Sequence, residues 1–338
     1  MKNLLIRADN IYGLKYLIEE RNLKGKVDLI YTDPPFATNC NFTITNGRAT
    51  TISNSSKGDV AYSDQILGED FVEYMRERLV LMKELLSDKG SIYLHTDYKI
   101  GHYIKVMMDN VFGIENFRND ITRIKCNPKN FKRVGYGNIK DMILFYTKTK
   151  DAIWNEPYEG YSEEDIKKLY KKTDKDGRQY TTVPIHAPGE TQEPKMFKGM
   201  LPPVGRHWRT DVATLEKWDD EGLIEWSENG VPRKKIYADE QYGKRVQDIW
   251  EFKDPQYPIY PTEKNIELID RIVKTSSNEN SIVLDPFSGS GTTLEAASRN
   301  NRYWIGIDKS DLAIQTIKKR MKMEDNSIFK DDNEYLIL

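Results

Sequence analysis

Two stretches of this chain carry residue types suited to chemistry. The first is Thr32-Asp33-Pro34-Pro35-Phe36, which follows the apolar run Val27-Asp28-Leu29-Ile30-Tyr31. Neither proline can donate to a β-ladder and each holds φ at about −65°, so a strand that runs into them stops abruptly. Pro35 also drives Pro34 into extended backbone. The product is a stiff turn with a carboxylate, free carbonyls, an aromatic ring and few donors. It suits a flat ligand that donates hydrogen bonds, such as an amino group on an aromatic ring. An ordinary strand-to-loop turn with a surface Asp fits the same four residues.

The second stretch is Asp285-Pro286-Phe287-Ser288-Gly289-Ser290-Gly291-Thr292-Thr293. Ser281-Ile282-Val283-Leu284 reads as the strand before it. Leu294 and Ala297 begin a helix after it, and Tyr303-Trp304-Ile305-Gly306-Ile307 reads as a further strand closed by Asp308. Strand, Gly-rich turn, helix, strand and terminal acid is an arrangement that binds an adenosine-containing ligand. Its glycines let backbone approach the ligand, and its acid reaches ribose hydroxyls. No Gly-Lys-Ser/Thr ends the turn, so it is not a P-loop, and the G-x-G-x-x-G spacing fails after Gly291. Asp285 would repel a pyrophosphate and attract a cation. S-adenosylmethionine, a sulfonium with an ammonium-bearing tail and no phosphate, fits that charge better than NAD or ATP. A Gly-rich turn with no ligand is the plain alternative.

The elements around these stretches alternate. Leu4-Leu5-Ile6 is a short strand ending in Asp9 and Asn10, which either cap the next helix or touch a ligand at the same sheet edge. Ile11, Leu14, Leu17 and Ile18 then keep helical spacing, as do Phe71, Met75, Leu79, Met82 and Leu86 further on. Ser91-Ile92-Tyr93-Leu94-His95 and Ile143-Leu144-Phe145-Tyr146 read as strands, with His95 and Asp97 either lining the site or serving the structure. Thr262 can cap a helix bearing Ile266, Ile269, Ile272 and Val273. This rhythm predicts an α/β, Rossmann-like, doubly wound and mostly parallel sheet. Residues 37–64, rich in Asn, Thr, Ser and Gly, read as a long loop, either a lid or disordered.

From residue 151 to 255 the rhythm is lost. Asn229-Gly230 between two short apolar runs is a hairpin signal, and that hairpin carries Arg233-Lys234-Lys235. Upstream, Pro202-Pro203-Val204-Gly205-Arg206-His207-Trp208-Arg209 combines rigid backbone, positive charge and aromatic surface. Arg123, Lys125, Lys129, Lys132 and Arg133 add a basic run with interspersed aromatics, the local footprint of a nucleic-acid surface or simply a solvated face. We therefore expect core 1–122, a partly β insertion 123–255 in which 142–148 is a core strand, and core 256–338.

Composition sets outer bounds. With 51 Lys and Arg against 53 Asp and Glu among 338 residues, no global basic field exists and any nucleic-acid binding must be local. The 2 cysteines give no disulfide framework and fit a reducing cytoplasm. The 4 histidines show no metal-ligand spacing, and no long apolar run suggests a membrane span.

The motif pair, with Asp33-Pro34-Pro35-Phe36 first and Asp285 to Thr293 near the C-terminus, resembles that of the permuted β group of amino-group DNA methyltransferases, including type III modification (Mod) methylases. Ser91 to Asp97, Phe117 to Asp120, Gly205 to Arg209 and Tyr260 to Lys264 fall where that family has like segments. The chain is similar to a compact relative of the longer Mod subunits. The resemblance implies transfer of a methyl from S-adenosylmethionine to the N6 of an adenine flipped out of duplex DNA, with cytosine-N4 the alternative. It assigns catalysis to Asp33, Pro34, Pro35 and Phe36. Asp9, Asn10, Thr32, Lys264, the Asp285–Thr293 turn and Asp308 become cofactor contacts, and the insertion becomes the target-recognition domain. Ser288 stands where the family often has Cys, and Lys140 where it often has His. An RNA or protein methyltransferase, or a non-catalytic DNA-binding protein, also remains open. So do a second copy of the chain and a restriction subunit as partners.

Overall fold

A computed structural model describes residues 1–34, 41–45, 48–51, 59–63, 68–128, 134–256, 258, 260, 263–323 and 333–338, with backbone alone over 41–69. Pro35, Phe36, Lys129, Lys132, Arg133 and Thr262 lie outside the described residues. The chain divides into two compact units, Met1–Pro157 with Gln247–Leu338, and Tyr158–Val246.

The first unit is built on a sheet of 9 strands. In chain order these are β1 (Asn3–Arg7), β2 (Val27–Thr32), β3 (Leu86–Thr96), β4 (Phe117–Ile124), β5 (Lys140–Thr147), β6 (Ile249–Glu251), β7 (Ile282–Asp285), β8 (Tyr303–Asp308) and β9 (Asn333–Ile337). Across the sheet they run β6-β4-β5-β3-β2-β7-β8-β1-β9. The neighbours from β3 to β9 are parallel, and β5 is antiparallel to both β3 and β4. The sheet is thus mostly parallel, with helices covering both faces, which is why its central strands are near-continuous apolar runs.

Helices α1 (Asn10–Glu19), α2 (Gly68–Leu85) and α3 (Gly101–Phe112) share one core with Leu4, Ile6, Ile30, Ile92 and Ile307. Phe71, Met75, Leu79 and Met82 of the predicted stripe are buried there, whereas Leu86, its last member, is buried as the first residue of β3 and not in the helix. On the opposite side α4 (Ile266–Ser276) packs on β2, and α5 (Thr292–Arg299) on β7 and β8. α6 (Asp311–Arg320) packs against β1. The cap of α4 is Asn265, whose side chain accepts the Glu267 N–H, not Thr262. Within 37–64, read as a loop, Asn41–Thr45, Arg48–Thr51 and Asp59–Ser63 form an antiparallel sheet, because the Thr-rich alternation there is a strand pattern.

The second unit contains a sheet of 4 antiparallel segments in the order Lys172–Thr173, Gln179–Pro184, Pro232–Tyr237, Ile224–Trp226. The Asn229-Gly230 hairpin joins the last two, with Gly230 at φ 70°. Ile185, Phe197, Leu215 and Ile224 make its small core. This unit falls inside the 123–255 span; residues 123–128 and 134–157 go with the first unit, since β4 and β5 complete the large sheet.

Candidate active site

The two motifs arrive at one rim through strand pairing. β2 and β7 are adjacent and parallel, with Leu29 opposite Val283 and Ile30 opposite Leu284. Asp285, the last residue of β7, therefore stands beside Tyr31, and Asp33 follows just beyond. On the other side of β7, Asp285 is opposite Gly306, and β8 ends at Asp308 opposite Arg7. Asp9 follows Ala8, whose N–H donates to the Asp308 carbonyl. From β7 the chain winds to β8, and from β2 it winds the other way to β3. The β2–β7 gap is thus the switch point of the sheet, where the strand ends leave a crevice.

The Asp33 carboxylate is divided. Lys264 Nζ lies 2.7 Å from Oδ2, both side chains being largely buried. Oδ1 is buried with no hydrogen-bond partner, as is Thr32 Oγ1. A buried acceptor left unpaired is costly, so it marks a position for a donor.

The Gly-rich turn is satisfied internally. Phe287 N–H donates to Asp285 Oδ1 at 3.0 Å, and the Ser288 hydroxyl donates to the Asp285 carbonyl at 2.8 Å. Gly289 N–H donates to Asp308 Oδ2 at 2.9 Å and Ser310 N–H to Oδ1 at 2.8 Å. Gly291 has φ +79°, and a Cβ there would meet Ile317 at 2.9 Å, so both backbone and packing demand glycine. Arg320 donates to Thr292 Oγ1 at 2.8 Å and pairs with Glu263. Pro286, Ser290 and Thr293 are buried in the same turn. Burial pushes the Asp285 carboxyl up to about 7; the Thr293 and Phe287 hydrogen bonds oppose this and the nearby Asp33 and Asp308 charges add to it. Burial also raises Asp308, against its backbone donors.

Of Asp9 and Asn10, Asp9 takes the capping role the sequence allowed. Asp9 caps α1 by accepting the Ile11 N–H at 3.1 Å while standing at the rim. Arg78 of α2, buried, holds both Asp9 and Asn10. His95 is a buried structural residue. Tyr31 Oη is 2.8 Å from its Nδ1, and Asp141 Oδ2 is 3.3 Å from its Nε2. Burial, with Lys264 nearby, lowers His95, against the opposing pull of Asp141 and Asp33. Burial would raise Asp141, but His95 and Lys125 outweigh it and keep the carboxylate ionised. Asp97 accepts the Lys99 N–H at 2.9 Å, a turn role.

The expected surface cations separate. Arg123 is not one: it is buried, pairing with Asp254 and Asp141 and donating to the Phe252 carbonyl. It stands on β4, where the inward alternation that includes Ile121 carries it into the sheet. Lys125 pairs with Asp141, Lys235 with Asp174, and Arg233 bonds Thr182, while Lys234 lies over the Trp218 ring. Arg206, His207, Trp208 and Arg209 form or follow a ribbon strand paired with His186–Pro188. Arg206 and Arg209 are exposed, whereas the His207 ring bonds the Gly189 carbonyl and the Trp208 indole N–H donates to the Lys195 carbonyl. Sequence reasoning missed the Lys264–Asp33 pair and the Arg78 and Arg320 clamps, all of them long-range. An Arg within the apolar stripe of α2 was the one available signal.

Among the described residues no group of His, Cys, Asp and Glu could hold a metal ion, and no helix is long and apolar enough to cross a membrane. One sheet rim thus carries the Gly-rich turn beside the acceptor-rich Asp-Pro turn, the motif pair that an amino-group methyltransferase would need. Residues 27–319 match the N6/N4 methyltransferase family described as DNA methylase, and the chain belongs to that family. It is 41% identical over 328 residues to the type II methyltransferase M.EcaI of Enterobacter cloacae, covering 95% of this chain and 69% of M.EcaI. It is 25% identical over 412 residues to the probable type III restriction-modification enzyme HindVI Mod subunit of Haemophilus influenzae, covering 97% of this chain and 52% of that subunit. The chain thus spans about half the length of that Mod subunit. The PvuII DNA methyltransferase, a cytosine-N4-specific enzyme, shares the fold with a TM-score of 0.53 at 11% identity, covering 100% of this chain and 95% of that one.

Proposed function

We propose that this chain transfers a methyl from S-adenosylmethionine to the N6 amino group of adenine at a specific site in duplex DNA. The observation that carries the reading is the unpartnered, buried Oδ1 of Asp33 at the rim shared with the Gly-rich turn. It is an acceptor awaiting a donor, and an exocyclic amine is a donor. The cofactor fits the residues present: the carboxyl groups of Asp285 and Asp308 at the turn suit a cationic sulfonium with an ammonium-bearing tail. When bound, S-adenosylmethionine supplies an electrophilic methyl. Asp9 and Asn10 would hold its adenine end, Asp308 its ribose and Asp285 to Thr293 its methionine portion.

The target amine is conjugated with its ring and is a weak nucleophile. Asp33 Oδ1 and the Pro34 carbonyl accept its N–H bonds and draw the nitrogen toward tetrahedral geometry. Positive charge grows on that nitrogen as it is methylated, so these fixed acceptors stabilise the transition state more than the ground state. No protein nucleophile is needed. The base must leave the duplex, at a cost of a few kcal/mol, and the resemblance gives Phe36 the role of stacking on it. Unit Tyr158–Val246 recognises the target, with Arg206 and Arg209 as its exposed cations. Adenine is favoured because Asp stands at position 33, where cytosine-N4 relatives usually have Ser. Incubating unmethylated DNA with protein and cofactor, digesting it to nucleosides and weighing them tests this. N6-methyldeoxyadenosine is expected; N4-methyldeoxycytidine, or label appearing only in RNA or protein, refutes it.

A further inference from the structure

The resemblance puts Lys264 among the cofactor contacts, but the geometry points elsewhere. Its ammonium is 2.7 Å from Asp33 Oδ2, and the residue is 9% exposed. The remaining oxygen, Oδ1, faces no donor. A carboxylate in a buried crevice can turn about its Cβ–Cγ bond and present either oxygen, or both, to water. A cation fixed on one oxygen removes that freedom and leaves a single acceptor. We infer that Lys264 is a positioning residue for methyl transfer, locking Asp33 so that only Oδ1 meets the target amine. This rests on Asp33 being the acceptor of that amine.

The fold supplies a reason for Lys264 to stay in place. Its neighbour Glu263 pairs with Arg320 of α6, and the same guanidinium donates to the Thr292 hydroxyl at the start of α5. Glu295 on the next turn of α5 lies 3.6 Å from Arg320 Nε. A line of side chains therefore runs from the Gly-rich turn through Arg320 and Glu263 to Lys264 and Asp33. The segment that carries Lys264 is anchored to the cofactor turn, while its ammonium reaches the acceptor turn. The Lys264 charge is also close enough to His95 to lower it, which sets the ammonium among the groups behind Asp33.

Two measurements decide the matter. The first is a thermal-stability cycle of Lys264→Met, Asp33→Asn and the double variant, which needs no activity. Lys264→Met strands a buried carboxylate, so adding Asp33→Asn should restore part of the lost Tm. Strictly additive Tm changes overturn the pairing, whatever the enzyme methylates. The second compares kinetics with calorimetric S-adenosylmethionine binding. For Lys264→Met we expect kcat at saturating cofactor to fall about tenfold or more, as for other groups that fix a catalytic hydrogen bond. The cofactor dissociation constant should stay within about threefold, and Lys264→Arg should recover most of kcat. A weakened cofactor affinity with kcat intact returns Lys264 to the cofactor and overturns the inference. So does an unchanged kcat with unchanged affinity. If the wild-type protein methylates no DNA amine, the functional reading fails, and the stability cycle still judges the ion pair.

Discussion

Asp285 ends one strand and Asp33 follows the end of its parallel neighbour at the same sheet rim, yet their surroundings differ in kind. Asp33 has an ammonium on one oxygen and nothing on the other. Asp285 has no basic partner among its strongest influences; it accepts a backbone N–H and is pushed up to about 7 by burial and by its acidic neighbours. The first is an acceptor held by a cation on one oxygen and open on the other. The second gains from any cation brought near it. Under the proposed function, these surroundings would suit one carboxyl to the nitrogen and the other to the sulfonium, as environment can give two like groups two roles in one site.

The largest effect should come from breaking the acceptor side. Asp33→Ala is expected to lower methyl transfer by about 10³-fold or more, measured with labelled cofactor on unmethylated DNA, since it removes the group aligned with the developing charge. Next comes the network behind it. Asp141→Ala leaves Arg123 and Lys125 without their shared anion, and breaking a buried pair costs about 3–5 kcal/mol, readable as a fall in Tm.

Smaller, and signed by pH, is the cofactor side. Burial pushes the folded Asp285 carboxyl up to about 7, above an unfolded Asp at about 4. The folded state therefore holds the extra proton in that window, and this contribution to stability declines as pH rises from about 4 to about 7. Asp285→Asn should accordingly raise Tm at pH 8 relative to wild type, and little at pH 4. Wild-type cofactor binding should tighten as pH rises through 7, and the variant should lose that dependence. The smallest effect lies outside the comparison. Replacing Arg206 and Arg209 by Ala should weaken DNA binding and reduce its salt slope by about one per lost phosphate contact, leaving cofactor binding unchanged.

Much of this was legible in the residues. Val27–Thr32 and Ile282–Asp285 are short apolar runs closed by Asp-Pro, and such runs become buried central strands wherever helices cover both faces. The Phe71–Met82 stripe keeps helical spacing and is buried as that spacing requires. Ile249–Glu251 was not legible: a strand this short, with one buried ring at Trp250, has too little pattern to be told from a loop. It completes the large sheet beside β4, so the second unit begins and ends inside the span that composition suggested. Arg123 sits in a basic run, and only strand alternation, set by pairing with β5, turns it inward. The Lys264–Asp33 pair joins residues from opposite ends of the sequence, and no local pattern announces a contact of that range.

The central claim is that these two carboxylates serve different molecules. One calorimetric experiment addresses it directly: titrating S-adenosylmethionine into wild type, Asp33→Ala and Asp285→Ala at pH 8. Asp33→Ala should bind the cofactor as wild type does, within about threefold, while Asp285→Ala should bind it at least about tenfold more weakly. Loss of binding in Asp33→Ala, or full binding in Asp285→Ala, would contradict the division of roles.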